Sequence, residues 1–213
     1  MNDMMTETRF WLIRHAIVEE NARALIYGDN DVALCPHSLE AQRPMYAALA
    51  RRLPPPGPEV AWLASPLSRT QRTARAIFDA GYPEQRLTIE PGLIELSFGD
   101  WQGLPHHELP ARLTMPPHGF WPISGDERPP GGESMADGIA RMGAAMERLA
   151  ASHAGQDVML LCHGGVIRAA VAHALRIRAD NALHLSVENL SLTRLDRTEA
   201  GWRVVCVNEL PGV

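Results

Sequence analysis

The sequence predicts a three-layer α/β/α sandwich built on a largely parallel sheet. Three observations carry the fold class. Apolar runs of strand length recur along the chain, as in Phe10-Trp11-Leu12-Ile13 and Val158-Met159-Leu160-Leu161. Segments with helical spacing alternate with them, and Gly/Pro clusters mark the boundaries. At 213 residues and 46% apolar content, one domain over residues 1–213 with one continuous core is expected.

The elements follow in order. Residues 10–13 form a short apolar run ending in Arg14-His15 and read as a buried strand. Ser38 is placed to cap a helix over residues 38–53, with a kink expected at Pro44. The run Pro54-Pro55-Pro56-Gly57-Pro58 ends it. Val60-Ala61-Trp62-Leu63-Ala64 reads as a second strand, residues 68–78 as a helix closed by Gly81 and Pro83, and Leu87-Thr88-Ile89 as a third strand. Residues 104–132 lack apolar periodicity, are rich in Pro and Gly, and hold His106, His107 and His118. They read as a loop insertion over the active site, because long loops in compact domains tend to be functional. Residues 133–152 have helical spacing at Met135, Ile139, Met142, Met146 and Leu149. Residues 158–161 form a buried strand, 165–175 a helix, and 190–195 and 204–207 two final strands joined through Glu199-Ala200-Gly201. In such folds the site lies at the carboxyl ends of the strands, where His15, Ser65 and His163 all fall.

Composition removes several functions. A net charge of −5 argues against general nucleic-acid binding. No stretch approaches a membrane span, and MNDMMTETRF has neither the cationic flank nor the apolar run of a signal peptide. Cys35, Cys162 and Cys206 are far apart and odd in number, which points to a reducing compartment and hence a cytoplasmic protein. All 20 basic residues are arginine. A P-loop lysine and a Schiff-base lysine are therefore excluded, and phosphate recognition must rest on arginine, histidine and backbone N–H groups.

Four constellations carry chemistry. Arg14-His15-Ala16 closes the first strand; a neutral imidazole can attack phosphorus, and a neighbouring arginine disfavours imidazolium. Ser65-Pro66-Leu67-Ser68-Arg69-Thr70 leaves the second strand and opens a helix, where free N–H groups favour an anion. Cys162-His163-Gly164-Gly165 does the same after the fourth strand, with glycines that let the backbone approach a phosphate. Glu95 lies in a semi-apolar run, where burial favours the protonated acid that a leaving oxygen needs. Each has an ordinary reading in isolation: a chance dipeptide, a solvated arginine like Arg72 and Arg75, or a glutamate on an exposed strand face.

Together, in this order, they resemble the histidine phosphatase superfamily, with its phosphoglycerate mutase-like fold, from about Arg9 to Leu195. The family's R-H-G signature is matched by Arg14-His15-Ala16 and the asparagine after it by Asn21. Its S-x-x-x-R-T element is matched by Ser65 through Thr70, and E-x-x-x-G-x-W-x-G by Glu95, Gly99, Trp101 and Gly103. P-G-G-E-S is matched by Pro130 through Ser134 and H-G-G-V-I-R by His163 through Arg168. The resemblance implies a two-step transfer in which His15 takes the phosphoryl group. Arg14, Arg69, His163 and Gly164 hold its oxygens with Asn21 assisting, and Glu95 protonates the leaving alcohol. It implies no metal and no organic cofactor, and a small phosphomonoester as partner. Ala16, Val18 and the segment 33–38 depart from the family pattern, on the substrate side of the pocket more than at the chemistry.

Three rival readings share these residues. Cys162 through Arg168 also satisfies C-x5-R, the loop of cysteine-based phosphatases, but Leu161 and Ala169 depart from that pattern. Phosphoglycerate mutase-type transfer uses the same catalytic residues, although the 104–130 stretch offers only Arg112 and Arg128 for a bisphosphate. A non-catalytic phospho-ligand binding or regulatory protein is the third.

Overall fold

The computed structural model describes residues 7–212; the amino-terminal residues 1–6, on which the signal-peptide reading falls, lie outside it. Six strands form one sheet: β1 (Thr8–Arg14), β2 (Val60–Ala64), β3 (Leu87–Ile89), β4 (Asp157–Cys162), β5 (Leu192–Thr198) and β6 (Gly201–Glu209). Their order is β3-β2-β4-β1-β5-β6. The first four are mutually parallel, while β5 and β6 join antiparallel at one side. The expected α/β sandwich over a mostly parallel sheet is therefore present, with a two-stranded antiparallel extension.

Alternation along the central strands divides the core. Phe10 and Leu12 of β1 and Val158, Leu160 and Cys162 of β4 face one layer; Trp11, Ile13, Met159 and Leu161 face the other. The first layer is covered by α5 (Met135–Ser152) and α6 (Gly164–Leu175), the second by α3 (Arg43–Arg52) and α4 (Ser68–Asp79). Strands buried on both faces must be apolar at every position, which explains their continuous runs.

Three helical boundaries differ from the sequence reading. The stretch from 38 to 53 is two helices, α2 (Pro36–Ala41) and α3, with Gln42 between them. Ser38 lies inside α2 rather than capping it. Proline has no N–H and its ring opposes the carbonyl four residues back, so Pro44 is accommodated in the first turn of a new helix instead of kinking a continuous one. Helix α5 begins at Met135 because Ser134 caps it: its Oγ accepts from Asp137 N at 3.1 Å, and Asp137 Oδ2 accepts from Ser134 N at 2.9 Å. Two four-residue helices, α1 (Glu20–Arg23) and α7 (Ala179–Ala182), carry too little periodicity to be read in advance.

The chain leaves β1 toward the α3/α4 layer and leaves β4 toward α5 and α6. These strands are neighbours, with Arg14 in register with Cys162. Their carboxyl ends open a crevice between the two departing segments, as expected where the winding direction reverses.

The capping box gives a direct test of the α5 boundary. Ser134→Ala should destabilise the fold by about 1 kcal/mol in urea unfolding, through loss of one satisfied helix-end N–H; an unchanged midpoint would contradict the assigned cap.

Candidate active site

His15 emerges from β1 almost fully buried, with 1% of its surface exposed. Its Nδ1 lies 2.7 Å from the Ala16 carbonyl oxygen. A carbonyl only accepts, so Nδ1 carries the proton and Nε2 holds the free lone pair. Among the described residues no protein group bonds Nε2. Burial, followed by the charges of Arg69 and Arg14, holds the His15 pKa well below its ordinary value and keeps the ring neutral.

The backbone at His15 is clamped by three hydrogen bonds from two segments. Asn189 Nδ2 donates to the His15 carbonyl at 2.8 Å, Ala16 N donates to Thr73 Oγ1 at 3.0 Å, and Leu190 N donates to the Arg14 carbonyl at 3.1 Å. Leu190 makes this contact from a left-handed φ of 61°, a local cost that the surrounding contacts sustain. Ala16, where the family has glycine, has no positive φ and carries no such strain. Val18, another departure, is buried and bridges to Leu34.

Arg69 is fully buried at the start of α4. It donates from Nη1 to Asn30 O at 2.7 Å, from Nη2 to Gly28 O at 2.8 Å, and from Nε to His163 Nδ1 at 3.2 Å. His163 Nδ1 therefore accepts, so its proton is on Nε2, which donates to Ser65 Oγ at 2.8 Å. Burial first, then the neighbouring His15 ring, with which it cannot share a second charge, and the charges of Arg69 and Arg14 lower the His163 pKa well below its ordinary value. The two imidazole centroids are 5.2 Å apart.

Arg14 donates to Val187 O at 2.5 Å, while its buried Nε has no partner. Such an orphaned donor is uncommon in a folded interior and marks a place for an acceptor from outside the chain. Glu95 is half-buried, less than its apolar surroundings led us to expect. Its Oε2 accepts from Gly165 N in the first turn of α6 at 3.2 Å, and its Oε1 from Leu96 N at 3.0 Å. A Cβ on Gly165 would stand 2.6 Å from Glu95 Oε1, so the absence of a side chain there lets the carboxylate approach the helix end. Arg141 fixes the segment carrying Glu95: it donates to the Gly92 and Ile94 carbonyls and forms a two-pronged pair with Glu133.

Arg14, Glu95, Gly164, Gly165 and Arg168 line one end of a cavity of about 380 Å³. Residues of the 104–132 stretch wall it, among them Leu109, Trp121 and Ile123. A buried carboxylate that the sequence reading missed organises this stretch: Glu127 accepts from Thr114 N at 3.0 Å and Met115 N at 2.7 Å. The three loop histidines are not gathered; His106 contacts Arg23 O, and His118 packs on His184.

The sequence-named residues thus divide. His15, Arg14, Arg69, His163, Gly164 and Glu95 converge. Asn21 is exposed on α1, with Oδ1 accepting from Ala22 N at 2.8 Å, away from the cavity lining. Asn189 escaped the sequence reading because it precedes a strand whose pairing with β1 alone brings it to His15. Cys162 points into the core, and burial drives its thiol pKa far above the ordinary value, which removes the thiolate that a cysteine-based phosphatase needs.

The model of the histidine phosphatase superfamily, branch 1, matches residues 10–210. A 2,3-bisphosphoglycerate-dependent phosphoglycerate mutase from Methylobacterium sp. (strain 4-46) is 33% identical over 164 residues, covering 75% of this chain and 77% of that protein. A glucosyl-3-phosphoglycerate phosphatase from Mycolicibacterium vanbaalenii is 32% identical over 190 residues, covering 83% and 78%. The native structure of a mycobacterial glucosyl-3-phosphoglycerate phosphatase matches with a TM-score of 0.75 at 25% identity, covering 95% of this chain and 99% of that one.

Two neutral buried histidines make stability depend on pH. Their folded pKa values are depressed, so below about 6.5 the unfolded chain binds protons that the native state refuses. Stability should fall as pH drops from neutrality, and His15→Asn should flatten part of that dependence in thermal melts. An identical pH slope in the two proteins would contradict the neutral, buried state of His15.

Proposed function

This chain belongs to the histidine phosphatase superfamily, branch 1, and from that premise we propose that it is a phosphomonoester hydrolase working through a phosphohistidine on His15. The observation that carries the reading is the neutral His15 ring, its Nδ1 tied to Ala16 and its Nε2 free, beside an arginine whose buried Nε has no partner.

In the first step Nε2 attacks phosphorus, the P–O bond to the alcohol breaks, and Glu95 gives its proton to the departing oxygen. In the second, water attacks phosphorus as the P–N bond breaks, and the Glu95 carboxylate takes the proton. Arg14 and Arg69 neutralise the equatorial oxygens throughout, fixed before the reaction so that little reorganisation is required. The His163 Nε2–H, which here donates to Ser65 Oγ, is the donor for a further oxygen. Substrates are small soluble phosphomonoesters handled in the cytoplasm. Among the described residues no helix is long and apolar enough to cross a membrane.

Hydrolysis is favoured over mutase transfer by the wall of the cavity. The two cations of the 104–132 stretch are turned elsewhere: Arg112 is exposed, and Arg128 bonds Gly132 O and pairs with Asp137. The stretch presents Leu109, Trp121 and Ile123 where a bisphosphate would require positive charge.

Phosphate release from a panel of phosphomonoesters should fall by at least about 10³-fold in His15→Ala. In single-turnover measurement of the first step, His15 phosphorylation, Glu95→Gln should cost about 10²–10⁴-fold on alkyl phosphates and far less on p-nitrophenyl phosphate, whose leaving group needs no proton. Equal losses on both would contradict the acid role. Rapid formation of 2-phosphoglycerate from 3-phosphoglycerate with trace 2,3-bisphosphoglycerate, without phosphate release, would assign mutase chemistry instead.

A further inference from the structure

The cavity that Arg14 and Glu95 border is charged at that end and apolar over the rest. Leu25, Ile26, Phe98, Leu109, Trp121 and Ile123 supply most of the remaining wall. Ile26, Leu109 and Ile123 belong to one apolar cluster, gathered around Trp101. The polar side chains set among them are already engaged. Glu133 is held in its two-pronged pair with Arg141, and His106 Nε2 meets the Arg23 carbonyl oxygen. Ser124 Oγ accepts from Glu127 N, and the Tyr27 ring packs 5.4 Å from the Arg69 guanidinium. Arg168 is engaged as well. Its Nε donates to the Leu185 carbonyl at 2.9 Å, its guanidinium lies 4.6 Å from the centre of the Trp121 ring, and the charges of Glu95 and Glu188 act on it.

An apolar recess open to water is unfavourable, and a loose wall would close it by packing on itself. This wall is pinned. Gly125 N donates to Asp180 Oδ1 at 2.7 Å, and the Gly125 carbonyl accepts from Ala136 N at 3.2 Å. A Cβ on Gly125 would stand 2.5 Å from the Ala179 carbonyl carbon, so a residue without a side chain lets the segment lie against α7. Glu127, 1% exposed, accepts from Thr114 N, Thr114 Oγ1 and Met115 N. These bonds hold the 104–132 stretch to α5 and α7 and keep open a cavity of about 380 Å³, the size of a small-molecule site.

Entry strips water from the part of a substrate beyond the ester oxygen. A carboxylate or a sugar would lose its hydrogen bonds to water there and find the wall's polar groups taken. A hydrocarbon gains from the same exchange. We propose that the alcohol portion of the substrate is an uncharged hydrocarbon body, so that the preferred substrates are phosphomonoesters of apolar alcohols. The inference rests on the phosphohistidine reading, which puts the phosphoryl group at Arg14 and Arg69 and so directs the alcohol into the recess.

The test measures binding to the wild-type protein without turnover. The n-alkylphosphonates from methyl to butyl carry a phosphorus anion on a P–C bond that His15 does not break. In calorimetry each added methylene should tighten binding about fourfold. The heat-capacity change should grow more negative along the series. Butylphosphonate should bind more tightly than 2-carboxyethylphosphonate, which is about as long and ends in an acid. Ile123→Asn should reduce the gain per methylene and leave methylphosphonate unchanged. Affinities that stay flat or fall with chain length would overturn the proposal, as would tighter binding of the acid, whether or not the variant folds. So would a full gain that survives Ile123→Asn, or an equal weakening of every homologue by it, which would place this wall on the phosphoryl end. No binding of any homologue would overturn the proposal together with the phosphoryl site. A chain-length gain in a protein that forms no phosphohistidine would leave the apolar preference standing and overturn the phosphohistidine reading alone.

Discussion

The hydrogen bond from His15 Nδ1–H to the Ala16 carbonyl is the contact on which the rest of the site depends. It fixes the tautomer, and the tautomer decides which nitrogen can act. It also requires the carbonyl to stay in place. That requirement explains why Thr73 of α4 and the adjacent Asn189 and Leu190 before β5, from two separate segments, all bond the residues at the end of β1. The left-handed Leu190 is tolerated because its N–H completes this clamp.

Around that ring the fold gathers more positive charge than it balances. Arg14, Arg69 and Arg168 are held mainly by carbonyl oxygens, which orient a guanidinium without cancelling it. The arrangement keeps both imidazoles neutral and leaves a field that an anionic ligand would satisfy. Two helices start at the same crevice, so their N-terminal dipoles add to it. Glu95 is the counterweight, and its position on the Gly165 N–H depends on a helix turn without side chains.

Much of this was legible in the sequence. Strands covered on both faces must be uniformly apolar, so β1, β2 and β4 stood out, and the residues that follow them had to share one end of the sheet. Helix boundaries were harder, because Gln42 breaks a periodicity that continues across it and Ser134, read as inside the helix from 133, is its cap. Asn189 could not be found, since its role arises from an antiparallel pairing between chain-distant strands. Arg168 was visible only as the last letter of a motif. That its guanidinium is stacked on Trp121 and lines the cavity is a property of tertiary packing alone. Asn21 shows the opposite case, a motif residue that the fold leaves exposed.

The most direct test of the account is the site of phosphorylation itself. A rapid acid-free quench with a ³²P-labelled phosphomonoester, followed by peptide mapping and NMR, locates the phosphoryl group. The account predicts an alkali-stable, acid-labile phosphohistidine on Nε2 of His15. A phosphoryl group on Nδ1 of His15, on His163 or on Cys162 would contradict it.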